Sequence, residues 1–125
     1  MFTMNYVNGV YPVSVTCYHE RFHNCNACTY TSGNYTVFQS YNTPIAAFDG
    51  KWLYINEYYN CSATTRKQFS RWLRENNLPS YGWIRDHFES ERVDGLFCDG
   101  EFFEHDSGIN VCSLNMPWFC KEVGI

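Results

Sequence analysis

A short stretch near the amino terminus, residues 17–28, carries three of the seven cysteines and two of the four histidines in this chain. Thiolate and imidazole groups are the ligands that tetrahedral zinc prefers. The Cys25-x-x-Cys28 pair has the spacing of a zinc knuckle, in which a tight turn directs two sulfurs at one ion. We therefore expect a structural zinc ion to hold this segment, because a closed site contributes folding energy where a core is too small.

The sequence supports some of the predicted zinc ligands more strongly than others. Cys25 and Cys28 come first, Cys17 and His23 follow, and His19 is the reserve. Two alternatives stay open: the cysteines are free and the histidines lie on the surface of a loop, or the Cys-x-x-Cys pair is a redox dithiol. The remaining cysteines are too scattered in sequence to assign to a site: Cys61, Cys98, Cys112 and Cys120.

Composition favours a single aromatic-rich domain with a protein partner. Aromatic residues make up 19% of the chain, so some rings are expected on the surface, where Tyr and Trp favour protein binding. The net charge of −4, from nine Lys and Arg against thirteen Asp and Glu, does not support a general nucleic-acid binder and suits a basic partner. No apolar run approaches a membrane span and the first residues lack signal-peptide features, so we expect a location in the cytoplasm.

The pattern of turns and apolar runs predicts an α+β fold with small antiparallel sheets and two short helices. Asp49-Gly50 between two apolar runs is a strong hairpin signal. The first helix is expected to be capped by Thr64 or Thr65 and to stop at Asn76-Asn77, and the second to run from Ser80 to Ser90.

Residues 1–125 are expected to form one domain with three parts. These are a metal-stapled segment at 1–34, a hairpin with helices at 35–90 and strands at 91–125. The Cys/His stretch itself is expected to be a turn-rich excursion, and the apolar tail Met116–Cys120 is expected to dock on the body.

No convincing active site is present in the sequence, so we expect the protein not to be an enzyme. His19, Glu20 and His23 formally match the His-Glu-x-x-His pattern of zinc metalloproteases. That pattern works only on a stable helix, and the flanking residues are poor helix formers. A zinc hydrolase is therefore only the third candidate function.

A resemblance to a known family rests on the middle of the chain. Residues 40–43 read Ser-Tyr-Asn-Thr, and Thr64-Thr65 is followed by Lys67 at the predicted helix start. This pattern resembles a small uncharacterised domain common in phage and prophage proteins, in which the loop at 41–43 is expected to brace the helix start. The resemblance implies a mobile-element protein in a bacterial cytoplasm, a setting that includes anti-CRISPR inhibitors of type II-A Cas9. It carries over no catalytic residue.

We therefore expect a phage-encoded, non-catalytic inhibitor that binds a host defence nuclease, with type II-A Cas9 or its guide-RNA complex as the expected partner, and blocks DNA cleavage. The alternative is a small zinc-stabilised nucleic-acid-binding protein that uses the basic residues of the first helix: Arg66, Lys67, Arg71 and Arg74. For the inhibitor, the expected contacts combine aromatic and acidic side chains: Tyr58, Tyr59, Trp83, Asp86, Glu89 and Glu91.

Overall fold

The computed structural model describes residues 2–5, 13–19, 25–89 and 99–125, with side chains from residue 27 onward. Within these ranges the chain forms eight strands and three helices, and the expected α+β class is confirmed. The strands are β1 Phe2–Asn5, β2 Val13–His19, β3 Cys25–Ser32, β4 Tyr35–Ser40, β5 Thr43–Phe48, β6 Trp52–Ile55, β7 Phe102–Glu104 and β8 Asn110–Ser113; the helices are α1 Ala63–Glu75, α2 Tyr81–Phe88 and α3 Met116–Val123.

All eight strands belong to one sheet, in the order β1-β2-β3-β4-β5-β6-β8-β7. Neighbours are antiparallel except β6 and β8, which pair in parallel with Leu53 opposite Val111. This parallel pair joins the hairpins to the carboxy-terminal strands. The described part of the chain therefore contains one mixed sheet, where the sequence predicted several small antiparallel ones, and a third helix in addition to the two expected.

The hairpin predicted at Asp49-Gly50 is confirmed. The Asp49 carboxylate accepts hydrogen bonds from the backbone amides of Lys51 at 2.9 Å and Trp52 at 2.7 Å. Gly50 has φ +106°, a conformation that costs glycine little because it lacks a Cβ. The turn thus joins β5 directly to β6.

Helices α1 and α2 pack on one face of the sheet. Their apolar residues meet strand side chains such as Phe38, which stacks on Phe69 and Trp72 with ring centroids 5.7 and 5.4 Å apart. The expected inward positions of α1, Phe69, Trp72 and Leu73, are all fully buried. Because this side of α1 packs on the sheet, its opposite side faces solvent.

The helix boundaries differ slightly from those predicted. The cap of α1 is Ser62, whose hydroxyl accepts from the Thr65 amide at 3.1 Å, so neither Thr64 nor Thr65 is the cap. Helix α2 was expected at 80–90; it begins one residue later, at Tyr81, with Ser80 as its N-cap, and ends at Phe88.

Helix α3 packs on the other face of the sheet. Phe119 and Val123 are buried against strand residues that include Tyr30 and Val37. The Ser32 hydroxyl donates to the Val123 carbonyl at 2.7 Å, which ties the end of α3 to β3. The prediction that the apolar tail docks on the body is confirmed.

The Cys/His stretch is largely strand, so the predicted turn-rich excursion is wrong for the residues that the structure describes. Strand β2 continues through Cys17 to His19, and β3 already begins at Cys25. These residues form strands because neighbouring strands pair with them, and such pairing could not be predicted from the composition of the segment. Residues 20–24 lie outside the described part of the chain.

Candidate functional site

The solvent-facing side of α1 carries a basic groove of about 410 Å³. Four cations on the exposed side of the helix line it, together with Tyr81 of α2. We call this surface the α1 groove; its lining residues are Ala63, Arg66, Lys67, Ser70, Arg71, Arg74 and Tyr81.

The α1 groove is strongly positive although the chain is acidic as a whole. Helix α1 has no acidic residue in its first turn, and Glu75 at its end is its single carboxylate. Arg71 pairs with Glu75 at 3.3 Å, but both side chains are more than 40% exposed, so water screens this pair. The Arg66 guanidinium donates to the Asn60 carbonyl at 3.3 Å, a bond that leaves its charge intact.

Tyr81 places an aromatic ring beside these cations. Its ring meets Phe69 edge-on with centroids 6.3 Å apart, so the core holds its position. Burial raises the pKa of Tyr81, and the nearby Glu89 raises it further. The hydroxyl is therefore neutral at physiological pH and can donate a hydrogen bond.

A buried chain of hydroxyl groups anchors α1 to the sheet. The Ser62 hydroxyl donates to Thr65 at 2.9 Å, Thr65 and Ser40 lie 3.0 Å apart, and Ser40 donates to the Gln68 side-chain oxygen at 3.2 Å. The hydrogen bonds that brace the helix start therefore come from Ser40, the last residue of β4, and not from the loop at 41–43 to which the prediction assigned them. These contacts orient α1 and with it the groove.

Among the described residues predicted to contact a protein partner, exposure differs widely. Tyr58 is 44% exposed, whereas Tyr59 is 1% exposed and belongs to the core. The Tyr59 hydroxyl donates to Glu89 at 2.6 Å, and Asn60 donates to the same carboxylate oxygen, so Glu89 serves an internal contact. Asp86 is exposed, and Glu91 lies outside the described residues.

Trp83, another predicted contact, is covered by two histidines. The His87 ring stacks on it at 3.9 Å, and His105 meets it edge-on at 5.0 Å. His87 Nδ1 lies 2.8 Å from the Trp83 carbonyl, so this nitrogen carries a proton and donates. The partly exposed indole is thus packed within its own chain.

The backbone register aligns four of the five predicted zinc ligands. Cys17 pairs with Cys28, and His19 pairs with Cys25, because an irregularity between Tyr18 and His19 shifts the β2–β3 register. His23 lies outside the described residues. Within the ranges that the structure describes, no group of three or more His, Cys, Asp or Glu side chains is arranged to hold a metal. His19 ends a strand, whereas the His-Glu-x-x-His arrangement requires it on a helix; Glu20 lies, like His23, outside the described residues.

A second surface, beside α3, was missed by the sequence analysis. Trp118 is 54% exposed and borders a groove of about 490 Å³. The Lys121 ammonium lies 5.4 Å from the Trp118 ring centroid, and two carboxylates, Asp99 and Glu122, complete the charged lining with that lysine. The signal was available, because Met116–Cys120 is an apolar run with Pro117 near its start, a position typical of the first turn of a helix, but the side of the helix that faces solvent could not be predicted.

The fold and the α1 groove define a small α+β domain built on a mixed sheet, with a basic helix face. The chain belongs to DUF8033, a family of unknown function, which matches residues 12–88. No curated protein and no solved structure matches the chain. The matched region includes both the Ser-Tyr-Asn-Thr segment and α1. Among the described residues, no helix is long and apolar enough to cross a membrane.

Proposed function

We propose that this protein binds single-stranded nucleic acid without catalysis, through the α1 groove. The observation that carries this proposal is the row of four cations beside the Tyr81 ring. Single-strand binders combine a positive groove that follows the phosphate backbone with aromatic rings on which bases stack. The α1 groove offers both within one rigid surface.

The net charge of −4 does not oppose this function, because binding depends on local charge. Four of the nine Lys and Arg residues line the α1 groove, whereas α1 holds only one of the thirteen Asp and Glu residues, Glu75. Such segregation directs a polyanion to one face and repels it from others. The binding should therefore be specific to the groove and sensitive to salt.

The test is fluorescence anisotropy with a labelled single-stranded oligonucleotide, as DNA and as RNA, across a salt titration. Four phosphate contacts give a slope of log K against log salt of about −3 for a single strand. The Arg66→Gln/Arg74→Gln double variant is expected to lower the affinity and to reduce the slope by about 1.4. The Lys51→Gln/Lys121→Gln variant removes the same charge away from the groove and is expected to bind normally. Equal losses in both variants would refute a groove-specific interaction.

The second candidate is the expected inhibitor of a host defence nuclease, type II-A Cas9, and the Trp118 surface favours a protein partner. Exposed tryptophans are frequent hot spots of protein interfaces. The neighbouring Asp99 and Glu122 suit a basic partner such as a nuclease with nucleic-acid channels. In this proposal the protein comes from a phage and acts in the cytoplasm of the bacterial host.

A pull-down against Cas9, with and without guide RNA, tests this candidate. Trp118→Ala is expected to abolish capture, while Arg66→Gln/Arg74→Gln is expected to leave it unchanged. The reverse pattern would assign any capture to RNA held in the α1 groove. Inhibition of DNA cleavage at equimolar protein is the functional readout.

The structural zinc ion stays a proposal, supported by the β2–β3 register. In the backbone register, Cys17 is the partner of Cys28 and His19 is the partner of Cys25, so two pairs of the proposed ligands occupy neighbouring positions on adjacent strands. Metal analysis of protein purified without added zinc is expected to give one zinc per chain. Chelation is then expected to lower the melting temperature, because the bound ion stabilises the folded state.

A further inference from the structure

A row of four aromatic rings crosses the face of the sheet on which α3 packs. The ring centroids of Tyr35 and Tyr54 lie 5.9 Å apart, those of Tyr54 and Trp52 lie 6.0 Å apart, and those of Trp52 and Phe102 lie 5.6 Å apart. We call these four residues the aromatic row. It runs from β4 through β6 to β7, the last strand in the order of the sheet.

The strand register explains why rings from strands that are not neighbours meet. Strand β5 lies between Tyr35 and Tyr54, and it places the small residue Ala47 opposite Tyr54. Strand β8 lies between β6 and β7, and it places Cys112 opposite Phe102. Large side chains on the flanking strands can therefore meet above the small side chains of the strand between them.

The β7 end of the aromatic row is open to solvent. Helix α3 packs on the same face against Tyr30 and Val37, at the β3 and β4 side of the sheet. Phe102 is 57% exposed, and Trp52 is partly exposed. The neighbour of Phe102, Phe103, packs against the core on the opposite face, as alternation along a strand requires. Connected aromatic rings on an exposed surface are typical of an interaction site.

Carboxylates flank the aromatic row at both ends. At the β4 end, the Tyr35 hydroxyl donates to Glu122 at 2.9 Å, and the Asp49 carboxylate accepts from the Trp52 amide at 2.7 Å. At the β7 end, Glu104 is exposed and lies two residues from Phe102, on the same side of the strand. Residues 99–120 contain no Lys or Arg and four carboxylates: Asp99, Glu101, Glu104 and Asp106.

We propose that the aromatic row binds an extended, arginine-bearing peptide segment of a partner protein. A guanidinium group stacks on aromatic rings and pairs with carboxylates, so it uses both features of this surface at once. A phosphate backbone would be repelled by the same carboxylates. Every second side chain of an extended peptide lies on one side, about 6.5–7 Å from the next, which is close to the spacing of the rings. Successive arginines can therefore meet successive rings.

This inference does not depend on either proposed function. The α1 groove lies on the other face of the sheet, and Trp118 is not a member of the aromatic row. Failure of nucleic-acid binding or of Cas9 capture would therefore leave it untouched.

The experiment is fluorescence anisotropy with a labelled peptide in which arginine and serine alternate. Peptides that replace arginine by lysine or by glutamate are the comparisons. Phe102→Ala is expected to weaken binding of the arginine peptide about tenfold, because it removes the most exposed ring. Glu104→Gln is expected to weaken it about threefold, since a single exposed ion pair contributes little. The lysine peptide is expected to bind more weakly than the arginine peptide, because an ammonium group does not stack on a ring as a guanidinium does.

Matched controls remove the same groups elsewhere. Tyr58→Ala deletes another exposed ring, and Asp86→Asn deletes another exposed carboxylate; both are expected to bind the arginine peptide like wild type. Because the changed side chains of both test variants are exposed, we expect these variants to fold, and circular dichroism checks this.

Four outcomes would overturn the proposal. They are no binding of the arginine peptide by the wild-type protein, equal binding of the arginine and lysine peptides, wild-type affinity in Phe102→Ala, and a loss in Trp118→Ala without one in Phe102→Ala. The last would move the interaction to the surface beside α3. Sedimentation of the free protein adds a fifth: a dimer that Phe102→Ala dissociates would make a second copy of the chain the occupant of the aromatic row.

Discussion

At the scale of single residues, Ser40 links the Ser-Tyr-Asn-Thr segment to α1. Replacing Ser40 by Ala removes a buried hydroxyl from between Thr65 and Gln68. We expect the free energy of unfolding to fall by about 1–3 kcal/mol, because the Gln68 side-chain oxygen loses its hydrogen bond from Ser40 in the interior, although Thr65 keeps the one from Ser62. Chemical denaturation of the two proteins measures this difference.

The matched control is Asn42→Ala, in the same segment. Asn42 is exposed, and its replacement is expected to change stability by less than about 0.5 kcal/mol. A loss at Asn42 as large as that at Ser40 would contradict the role assigned to Ser40. The sequence could predict that these segments meet, because the motif couples them, but the atom that makes the contact depends on the depth at which each side chain is buried.

At the scale of secondary-structure elements, local signals were predictive and long-range pairings were not. The Asp49-Gly50 turn and the buried stripe of α1 depend on residues close in sequence, so both were found correctly. The parallel pairing of β6 with β8 joins Leu53 to Val111, and no local pattern encodes so distant a partner. The cap of α1 was misplaced because Ser62, Thr64 and Thr65 all offer a capping hydroxyl.

Two adjacent residues of α3 provide a test of how this helix packs on the sheet. Phe119 is fully buried between the helix and the sheet, whereas its neighbour Trp118 is 54% exposed. We expect Phe119→Ala to lower the free energy of unfolding by about 3–5 kcal/mol, because it leaves a cavity under the helix. Trp118→Ala should cost much less. Urea denaturation checks both, and comparable losses would mean that α3 does not dock as described.

At the scale of the whole molecule, the placement of charge decides what the chain can bind. The total of −4 argued against nucleic acid, yet four cations are gathered on one helix face. The sequence did identify Arg66, Lys67, Arg71 and Arg74 as an alternative site, because helical spacing groups them. It could not show that Tyr81 faces them, since that neighbour comes from a different helix.

The stability of the whole molecule is expected to fall at alkaline pH. Burial raises the pKa of Cys112 from its ordinary value of 9.0 to about 11, and it raises the pKa values of several tyrosines above 10.0: Tyr30, Tyr35, Tyr54 and Tyr81. A raised folded-state pKa means that the unfolded chain releases its protons first. The contribution of each group is therefore complete below its unfolded pKa and is lost as pH rises towards the folded value.

Thermal melts between pH 7 and pH 11 test this expectation. The melting temperature is expected to begin falling near pH 9, where the cysteine thiol ionises in the unfolded chain. It is expected to fall more steeply above pH 10, where the tyrosine phenols of the unfolded chain ionise as well. Cys112→Ala should have a shallower decline between pH 9 and pH 10, whatever its stability at neutral pH, because one of the linked protons is gone. A melting temperature that stays constant to pH 11 would mean that these groups ionise as readily in the folded protein as in the unfolded chain. Burial in the folded protein would then not raise the pKa values of these phenols and of the Cys112 thiol.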